Sequence, residues 1–335
     1  MFCNAIRGVR PFGALLIGLL ISCASGPIDS AARSSDPPCD GWMLHTRTLL
    51  TICPEVVIEG LSGQGVTAIG EMAFDSFGVL LVTRPATGEV LSLLPDKQHA
   101  GKFLPPETFA TGLNFPYGIA CAGSQCYVST QTQIIRLKDQ SVVISDLTAY
   151  AVHPLHIVGD KQLVTANGST VVSVNLDGSH EVTGSWPHPI VDFGYSAASD
   201  FWTADGTSHV ESDPIGQIPT IDFSPNSGPS ALTFYPNQVG LAFPQFANAM
   251  LVVTAGSWGA TVVAGYELWL VPFSGGHPGT PRTLIPANTD RTNSDAALYL
   301  LTFFPDHPVA VSISPEGWIY VATREGRIVR LRPRL

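Results

Sequence analysis

Three histidine-proline pairs are the residues of this sequence best suited to chemistry: His153-Pro154, His188-Pro189 and His307-Pro308. Neutral imidazole accepts a proton near neutral pH and is a common metal ligand. Proline also fixes the backbone at the end of a loop, so the preceding histidine can simply cap the strand that follows. Both interpretations remain open for each pair. His156 adds a further imidazole close to the first pair.

Other polar and aromatic side chains suggest ligand contacts. Arg84 and Arg324 could hold an anionic ligand by paired hydrogen bonds, and Trp258 could stack on a planar ring or a sugar. Asp205 and Asp213 bracket a polar loop that could hold Ca²⁺ through carboxylates and carbonyls, although the spacing is not that of an EF-hand. A plain solvated loop is the alternative there.

These side chains are positioned by an internal repeat. Six segments share a short apolar strand, a turn with Gly, Asn or Asp, and a second strand that ends in Thr. The repeats begin roughly 40 residues apart, which is the blade length of a β-propeller. We therefore predict an all-β, six-bladed β-propeller over residues 39–335. The last repeat ends after its third strand, so a strand within residues 55–60 is predicted to close the ring.

An antiparallel meander predicts where the loops point. Alternate loops of such a sheet lie on the same face, so the loops after the second strands share a face with the loops that enter the first strands. The three His-Pro pairs enter blades, and Asn114 lies in another entry loop. We expect these side chains to converge on one face around a common axis.

The N-terminus has the features of an export signal. Arg7 and Arg10 precede an apolar stretch too short to span a bilayer, and Cys23 ends a sequence that resembles the lipoprotein processing box of bacteria. We expect a signal peptide over residues 1–22, a tether over residues 23–38, and lipidation at Cys23. The protein would then be an envelope lipoprotein; an ordinary secreted protein is the alternative.

The cysteines agree with export. Cys39, Cys53, Cys121 and Cys126 remain after the leader, and an even count in an exported chain suggests two disulfides. Cys121 and Cys126 flank a four-residue turn and could face each other across a hairpin. Cys39 and Cys53 would form the other pair.

Composition excludes one class of partner. The net charge is −10, and only 13% of the residues are charged. Nucleic-acid binding requires a basic patch, and no such cluster of Lys and Arg occurs before the last residues. The only membrane association expected is through the lipid anchor.

Several stretches resemble the glucose/sorbosone dehydrogenase family, six-bladed propellers related to the soluble quinoprotein glucose dehydrogenases. They are the strand pair from Phe74 to Val82, the ordered series Thr233-Phe-Tyr235, Phe243-Pro244, Gly256-Ser-Trp258, Gly265-Tyr266 and Val271-Pro-Phe273, the stretch Gly112 to Ala120, and the last repeat from Pro308 to Val321. Together they touch most of the chain from about residue 56.

The resemblance implies pyrroloquinoline quinone (PQQ), Ca²⁺ and the oxidation of a sugar or alcohol, with a redox acceptor as partner. His153 matches the histidine that takes the substrate hydroxyl proton. The residues in place to contact the cofactor are His156, His188, His307, Arg84, Arg324, Trp258 and Asn114. Ala255, Gly259 and Ala260 stand where the family has His, Asn and Arg. A non-catalytic propeller that binds a ligand or partner, and a metal-dependent hydrolase or lactonase, therefore remain alternatives.

Overall fold

The computed structural model describes residues 52–61, 68–149, 152–159, 162–197, 199–212, 220–256, 264–285 and 306–333. All of them belong to the unit that runs from Pro38 to Leu335. Their regular structure is β-strand, apart from one short 3-10 turn at Pro244–Phe246. Among these residues no helix is long and apolar enough to cross a membrane.

Six four-stranded antiparallel sheets follow one another along the chain and form the six blades. Each blade is a meander, and in blades 1 to 5 the strands pair in chain order. Blade 1 contains β2 (Met72–Phe74), β3 (Leu80–Arg84), β4 (Glu89–Leu93) and β5 (Glu107–Ala110). Blade 2 contains β6 (Ile119–Ala122), β7 (Gln125–Ser129), β8 (Ile134–Arg136) and β9 (Ser141–Ile144). Blade 3 contains β10 (Leu155–Val158), β11 (Gln162–Asn167), β12 (Thr170–Asn175) and β13 (His180–Ser185). Blade 4 contains β14 (Asp192–Tyr195), β15 (Phe201–Ala204), β16 (His209–Glu211) and β17 (Ile221–Asp222). Blade 5 contains β18 (Pro229–Phe234), β19 (Met250–Thr254), β20 (Glu267–Val271) and β23 (Arg282–Ile285).

Blade 6 joins the two ends of the folded unit. It contains β24 (Pro308–Ile313), β25 (Ile319–Thr323), β26 (Ile328–Pro333) and, as its outer strand, β1 (Ile52–Ile58) from the N-terminal side. The six-bladed ring and its closure by an N-terminal strand are thus confirmed. Closure removes the free sheet edges that an open array would expose.

An ion-pair triad stabilises the closing strand. Glu55 on β1 lies opposite Arg330 on β26; it bonds to Arg330 and, at 2.6 Å, to Arg332. All three residues are buried. Arg330 also donates to the Ala100 carbonyl and lies over the Trp318 ring, which links the closure to blade 1.

Blade 5 carries an insertion after its third strand. A two-stranded ribbon of β21 (Phe273–Ser274) and β22 (His277–Pro278) precedes its outer strand. Residues 286–305 lie outside the described part of the chain.

The predicted hairpin disulfide is confirmed. Cys121 and Cys126 are directly opposed on β6 and β7 and are bonded, with Cα atoms 4.1 Å apart. Cys53, on the closing strand, is also disulfide-bonded. Its predicted partner, Cys39, lies outside the described residues.

Hydroxyl side chains at the ends of two second strands connect neighbouring blades. Thr83 donates to the Tyr117 carbonyl at the entry of blade 2, at 2.6 Å. Ser129, at the end of β7, donates to the His153 carbonyl at the entry of blade 3. The recurrent Thr that marks the repeat is buried throughout and therefore serves the packing of the ring.

Candidate functional site

Two faces of the ring are distinguished by their loops. One face carries the loops that enter the first strands and the loops that join second to third strands; we call it the entry face. The opposite, hairpin face carries the loops that join first to second and third to fourth strands. His153-Pro154 directly precedes β10, His188-Pro189 lies two residues before β14, and His307 directly precedes Pro308, the first residue of β24. All three pairs therefore belong to the entry face.

His153 is enclosed between blades 2 and 3. It is 1% exposed, its Nδ1 lies 2.9 Å from the Ala166 carbonyl, and its Nε2 lies 3.1 Å from that of Gln131 and 2.9 Å from that of Thr148. Carbonyl oxygens only accept hydrogen bonds, so this ring is occupied with backbone groups. The catalytic role predicted for His153 does not fit this arrangement, because the ring offers no nitrogen to a substrate.

His188 pairs with a carboxylate in its own blade. Its Nε2 lies 2.6 Å from Glu211 Oε1, and its Nδ1 lies 3.1 Å from the Pro189 carbonyl. Both nitrogens thus face acceptors. The contacts attach the entry loop of blade 4 to the third strand of that blade.

His156 points into the axis of the ring with two carboxylates. Its Nε2 lies 3.2 Å from Asp192 Oδ1, and Asp192 also accepts the Leu232 backbone N–H at 2.7 Å. Glu71, just before β2, accepts the Ile119 backbone N–H at 3.0 Å. These carboxylates each bond to a first strand of the next blade and hold the innermost strands in place.

His307, in the entry loop of blade 6, lies at the centre of a hydrogen-bonded series of three side chains. Its Nδ1 bonds to Glu325 Oε1, its backbone N–H donates to Glu325 Oε2 at 2.9 Å, and its Nε2 lies 2.8 Å from the Tyr266 hydroxyl. An ionised carboxylate only accepts, so in the neutral form of the ring the Nδ1 carries the hydrogen and Nε2 accepts the phenol hydrogen. We call these three residues the tyrosine relay.

The tyrosine relay can move a proton. A hydroxyl that donates to the Tyr266 oxygen would pass its proton there while the phenol proton moves to His307 Nε2, and Glu325 would stabilise the resulting imidazolium. Side-chain exposure is 15% for His307 and 36% for Glu325, so the series reaches the surface. Burial and the charge of Glu325 raise the pKa of Tyr266, so the phenol keeps its proton until a base accepts it.

Two glycines position the tyrosine. Gly256 has φ +96°, and a Cβ there would lie 2.3 Å from the Tyr266 ring. Gly265 has φ +80°, and a Cβ there would lie 2.4 Å from the Ser227 carbonyl. Tyr266 itself has φ 60°, a left-handed conformation that costs a non-glycine residue about 1 kcal/mol. Such strain is typical of functional positions held by their surroundings.

Of the two arginines predicted to hold an anion, Arg84 is engaged in an ion pair. Arg84 forms a 2.9 Å ion pair with Glu89 across the β3–β4 turn, and its side chain is 18% exposed. Arg324 lies beside the tyrosine relay, with its backbone N–H donating to the His307 carbonyl at 2.7 Å. Asn114 donates to the Gln131 side chain at 3.2 Å within the entry face of blade 2.

The predicted Ca²⁺ loop is closed by hydrogen bonds of its own. Asp205 Oδ1 accepts the backbone N–H groups of Thr207, Ser208 and His209 at 2.8 to 3.0 Å. Burial alone would raise the pKa of Asp205, but these bonds lower it overall. Asp213, Trp258 and Cys23 lie outside the described residues. Within the described ranges no group of three or more His, Cys, Asp or Glu is placed to hold a metal ion.

Comparison with solved structures relates the fold to sugar-oxidising propellers. A calcium structure of a Trichoderma reesei carbohydrate-active enzyme of family AA12 matches with a TM-score of 0.64 at 13% identity, over 86% of this chain and 97% of that one. The holo PQQ domain of pyranose dehydrogenase from Coprinopsis cinerea matches with a TM-score of 0.59 at 12% identity, over 86% of this chain and 97% of that one. PQQ-bound aldose sugar dehydrogenase from Streptomyces coelicolor matches with a TM-score of 0.55 at 12% identity, over 86% of this chain and 100% of that one.

This chain resembles the quinoprotein sugar dehydrogenases in fold. The likeness predicted from the sequence motifs is thus confirmed at the level of architecture. A streptogramin B lyase shares the fold as well, with a TM-score of 0.51 at 11% identity, over 86% of this chain and 100% of that one. Since the propeller supports different reactions, the chemistry must be argued from the site.

Sequence comparisons add a short match. Residues 306–331 match the model "Strictosidine synthase-like, N-terminal". They contain β24, β25 and most of β26, and thus His307 and Glu325 of the tyrosine relay. A search of the curated proteins finds no match.

Sequence reasoning missed several polar residues of this region. Tyr266 was part of the family motif without a role, and Glu325 follows Arg324 directly. The pairing of Pro308 with Thr323 brings the start of β24 next to the turn that carries Glu325. Glu71 directly precedes a first strand, which was the available signal for a group near the axis.

Proposed function

We propose that this chain binds a sugar or another alcohol on its entry face and accepts a hydroxyl proton there through the tyrosine relay. The observation that supports this most strongly is the series from Tyr266 through His307 Nε2 and Nδ1 to Glu325. A carboxylate that orients an imidazole, which in turn activates a hydroxyl, is a general arrangement for proton transfer. The substrate class is supported by the sugar dehydrogenases among the fold neighbours.

In this proposal His307 replaces His153 as the proton acceptor. The motif glycine Gly256 then has a direct purpose, because it leaves room for the Tyr266 ring beside His307. The ligand hydroxyl would donate to the Tyr266 oxygen. Its proton would pass to the imidazole only as a hydride leaves the same carbon to an electron acceptor; without an acceptor the hydroxyl keeps its proton and stays hydrogen-bonded. Partial enclosure of the relay would strengthen its hydrogen bonds relative to bulk water.

The described residues do not fit PQQ well. A quinone with three carboxylates requires several cationic and amide partners. On the described part of the entry face Arg84 is paired with Glu89, and Arg327 is paired with Asp306. We therefore propose no step through the quinone.

We also propose that the protein acts outside the cytoplasm. The Cys121–Cys126 bond and the disulfide at Cys53 support this, because disulfides persist in oxidising compartments. Lipid attachment at Cys23 belongs to the same proposal. Mass spectrometry of the mature protein would test it, since an unmodified N-terminus at another residue would contradict the anchor.

Titration calorimetry of the full chain with a panel of aldoses and alditols tests the function. We expect at least one to bind, and we expect Tyr266→Phe to weaken its binding by about ten-fold through a lost hydrogen bond. His99→Asn is the matched control, because that histidine lies in the β4–β5 loop of the hairpin face, paired with Asp96. If no sugar or polyol binds, or if Tyr266→Phe binds as well as the control, the proposal fails.

Oxidation is decided by a second measurement on the same preparation. PQQ and Ca²⁺ are added with the bound sugar, and reduction of an artificial electron acceptor is followed. Reduction that Tyr266→Phe slows would make the chain a quinoprotein dehydrogenase. Sugar binding without reduction would make it a non-catalytic sugar-binding propeller, an outcome that the paired arginines of the entry face favour.

A further inference from the structure

A serine, a histidine and an aspartate are linked by hydrogen bonds on the outer side of blade 4. The Ser208 hydroxyl lies 3.0 Å from His209 Nε2, and His209 Nδ1 lies 3.0 Å from Asp222 Oδ1. Among the described groups the Ser208 hydroxyl has no other hydrogen-bond partner. We call these three residues the blade 4 triad. The tyrosine relay uses none of them.

Strand pairing places the histidine and the aspartate side by side. His209 begins β16 and lies directly opposite Asp222, the last residue of β17, which is the outer strand of the blade. Ser208 ends the loop before β16, and its carbonyl accepts the Phe223 N–H at 2.8 Å. Asp205 fixes the same loop by accepting three of its backbone N–H groups. The carboxylate predicted to bind Ca²⁺ thus holds the backbone that carries the serine.

The hydrogen bonds define the proton positions that a nucleophilic serine requires. An ionised carboxylate only accepts, so in the neutral form of the ring His209 Nδ1 carries the hydrogen and donates to Asp222. Nε2 is then an acceptor, and the Ser208 hydroxyl donates to it. A base that takes the hydroxyl proton and a carboxylate that orients the base are the groups that activate serine in acyl transfer. His209 is thus placed as the general base, and Asp222 as a positioning residue.

A second Ser-His pair of the chain is arranged differently. Ser179 directly precedes His180, the first residue of β13. The Ser179 hydroxyl lies 2.6 Å from Asp177 Oδ1. His180 Nδ1 lies 3.2 Å from the Gly178 carbonyl, and its Nε2 lies 3.1 Å from Asp146 Oδ2. Both ring nitrogens therefore face acceptors other than the serine, so Ser179 is a control with the same dipeptide and no activating base.

The surroundings of the blade 4 triad restrict the acyl donor. The backbone N–H groups of Ser208 and His209 donate to Asp205 Oδ1, so they do not stabilise an oxyanion. Removing one oxyanion donor typically slows acyl transfer by about 10²- to 10³-fold, and an ester with a good leaving group depends on such donors least. The carboxylates of Asp205 and Asp222 disfavour an anionic acyl donor. Side-chain exposure is 46% for His209 and 74% for Asp222, so water reaches the triad.

We propose that the blade 4 triad is a further active site, which hydrolyses neutral, activated esters such as aryl esters. The Ser208 oxygen forms a bond to the acyl carbon while its proton moves to His209 Nε2. The leaving group departs with the bonding electron pair and takes that proton. Water then attacks the acyl-serine and gives one proton to His209. The carboxylic acid is released as the Ser208 oxygen leaves the acyl carbon and takes the proton back.

Labelling of the full chain with a neutral fluorophosphonate tests the nucleophile, because an activated serine forms a stable phosphonate ester as fluoride leaves. Peptide mass spectrometry at successive times measures each serine separately. We expect Ser208 to be labelled at least about ten-fold faster than Ser179, although Ser179 is the more exposed. His209→Asn should slow the labelling of Ser208 by at least about ten-fold and leave that of Ser179 unchanged. Equal rates at the two serines, or a rate at Ser208 that His209→Asn does not change, would overturn the proposal.

Two further measurements complete the test. Asp222→Asn should slow the labelling of Ser208, and Asp222→Glu should restore part of the rate, which a merely structural role would not produce. Ser208→Ala should hydrolyse p-nitrophenyl acetate at least about ten-fold more slowly than Ser179→Ala; equal hydrolysis by the two variants would contradict an esterase site. No sugar is present in these assays, so failure of the proposed sugar binding would leave their results unaffected.

Discussion

Glu55→Gln tests the closure of the ring. Glu55 is the acceptor for two buried guanidinium groups, Arg330 and Arg332, and the three side chains are 7%, 3% and 8% exposed. The substitution keeps the shape but removes the carboxylate charge that both guanidinium groups contact. Removing one partner of a buried ion pair typically costs about 3 to 5 kcal/mol. That is a large share of the roughly 5 to 15 kcal/mol by which folded proteins are stable.

Urea denaturation of the full chain measures this loss, with Glu59→Gln as the matched control. Glu59 follows β1, is 72% exposed and lies 3.9 Å from Arg327, so its removal should change the free energy of unfolding by less than about 1 kcal/mol. If Glu55→Gln costs no more than the control, the triad does not hold the closing strand.

The pH dependence of the same variant gives an independent reading. Burial alone would raise the pKa of Glu55, but the hydrogen bonds and charges of the two arginines lower it overall. A carboxyl whose folded-state pKa is lowered stabilises above its unfolded pKa and loses that contribution as the pH falls through the folded value. The difference between wild type and Glu55→Gln should therefore shrink in acid; a constant difference would contradict the lowered pKa.

Three further predictions concern other parts of the ring. Cys126→Ser should lower the free energy of unfolding by about 2 kcal/mol, because the bond closes a short loop, and reductant should abolish the difference between variant and wild type. Gly256→Ala should lower the free energy of unfolding by at least about 1 kcal/mol and weaken sugar binding by displacing Tyr266. Gly112→Ala, also at positive φ but with open space around it, should lower the free energy of unfolding only through backbone strain. Equal sugar affinity in both variants would contradict the positioning of Tyr266 by Gly256. Since the pKa of Glu71 is raised on folding, wild-type stability should fall as the pH rises above the unfolded pKa, and Glu71→Gln should remove that fall; parallel denaturation midpoints would contradict it.

The fold could be predicted because its signal is repetitive. Six apolar strands that end near Thr, together with turn glycines such as Gly78 and Gly317 at positive φ, specify the same hairpin each time. The last repeat also had only three strands of its own, so a fourth strand had to come from the N-terminal side, which made β1 predictable. The face shared by the His-Pro loops followed from the meander alone.

The roles of individual histidines could not be predicted in the same way. His153 and His307 both precede a proline at a blade entry, yet backbone carbonyls surround the first and a carboxylate with a phenol surrounds the second. Most of that difference depends on residues more than ten positions away, which the local pattern does not encode. Asp205 is a different case, because its carboxylate is used by the turn that directly follows it.

Nitrogen-15 NMR of the His307 imidazole tests the tyrosine relay most directly, with the signal assigned by its loss in His307→Asn. We expect a neutral ring that carries its hydrogen on Nδ1, and ring shifts that change when a bound sugar is added while those of His99 stay constant. A hydrogen on Nε2, or sugar binding that leaves the His307 signals unchanged, would show that the proton does not pass through this residue.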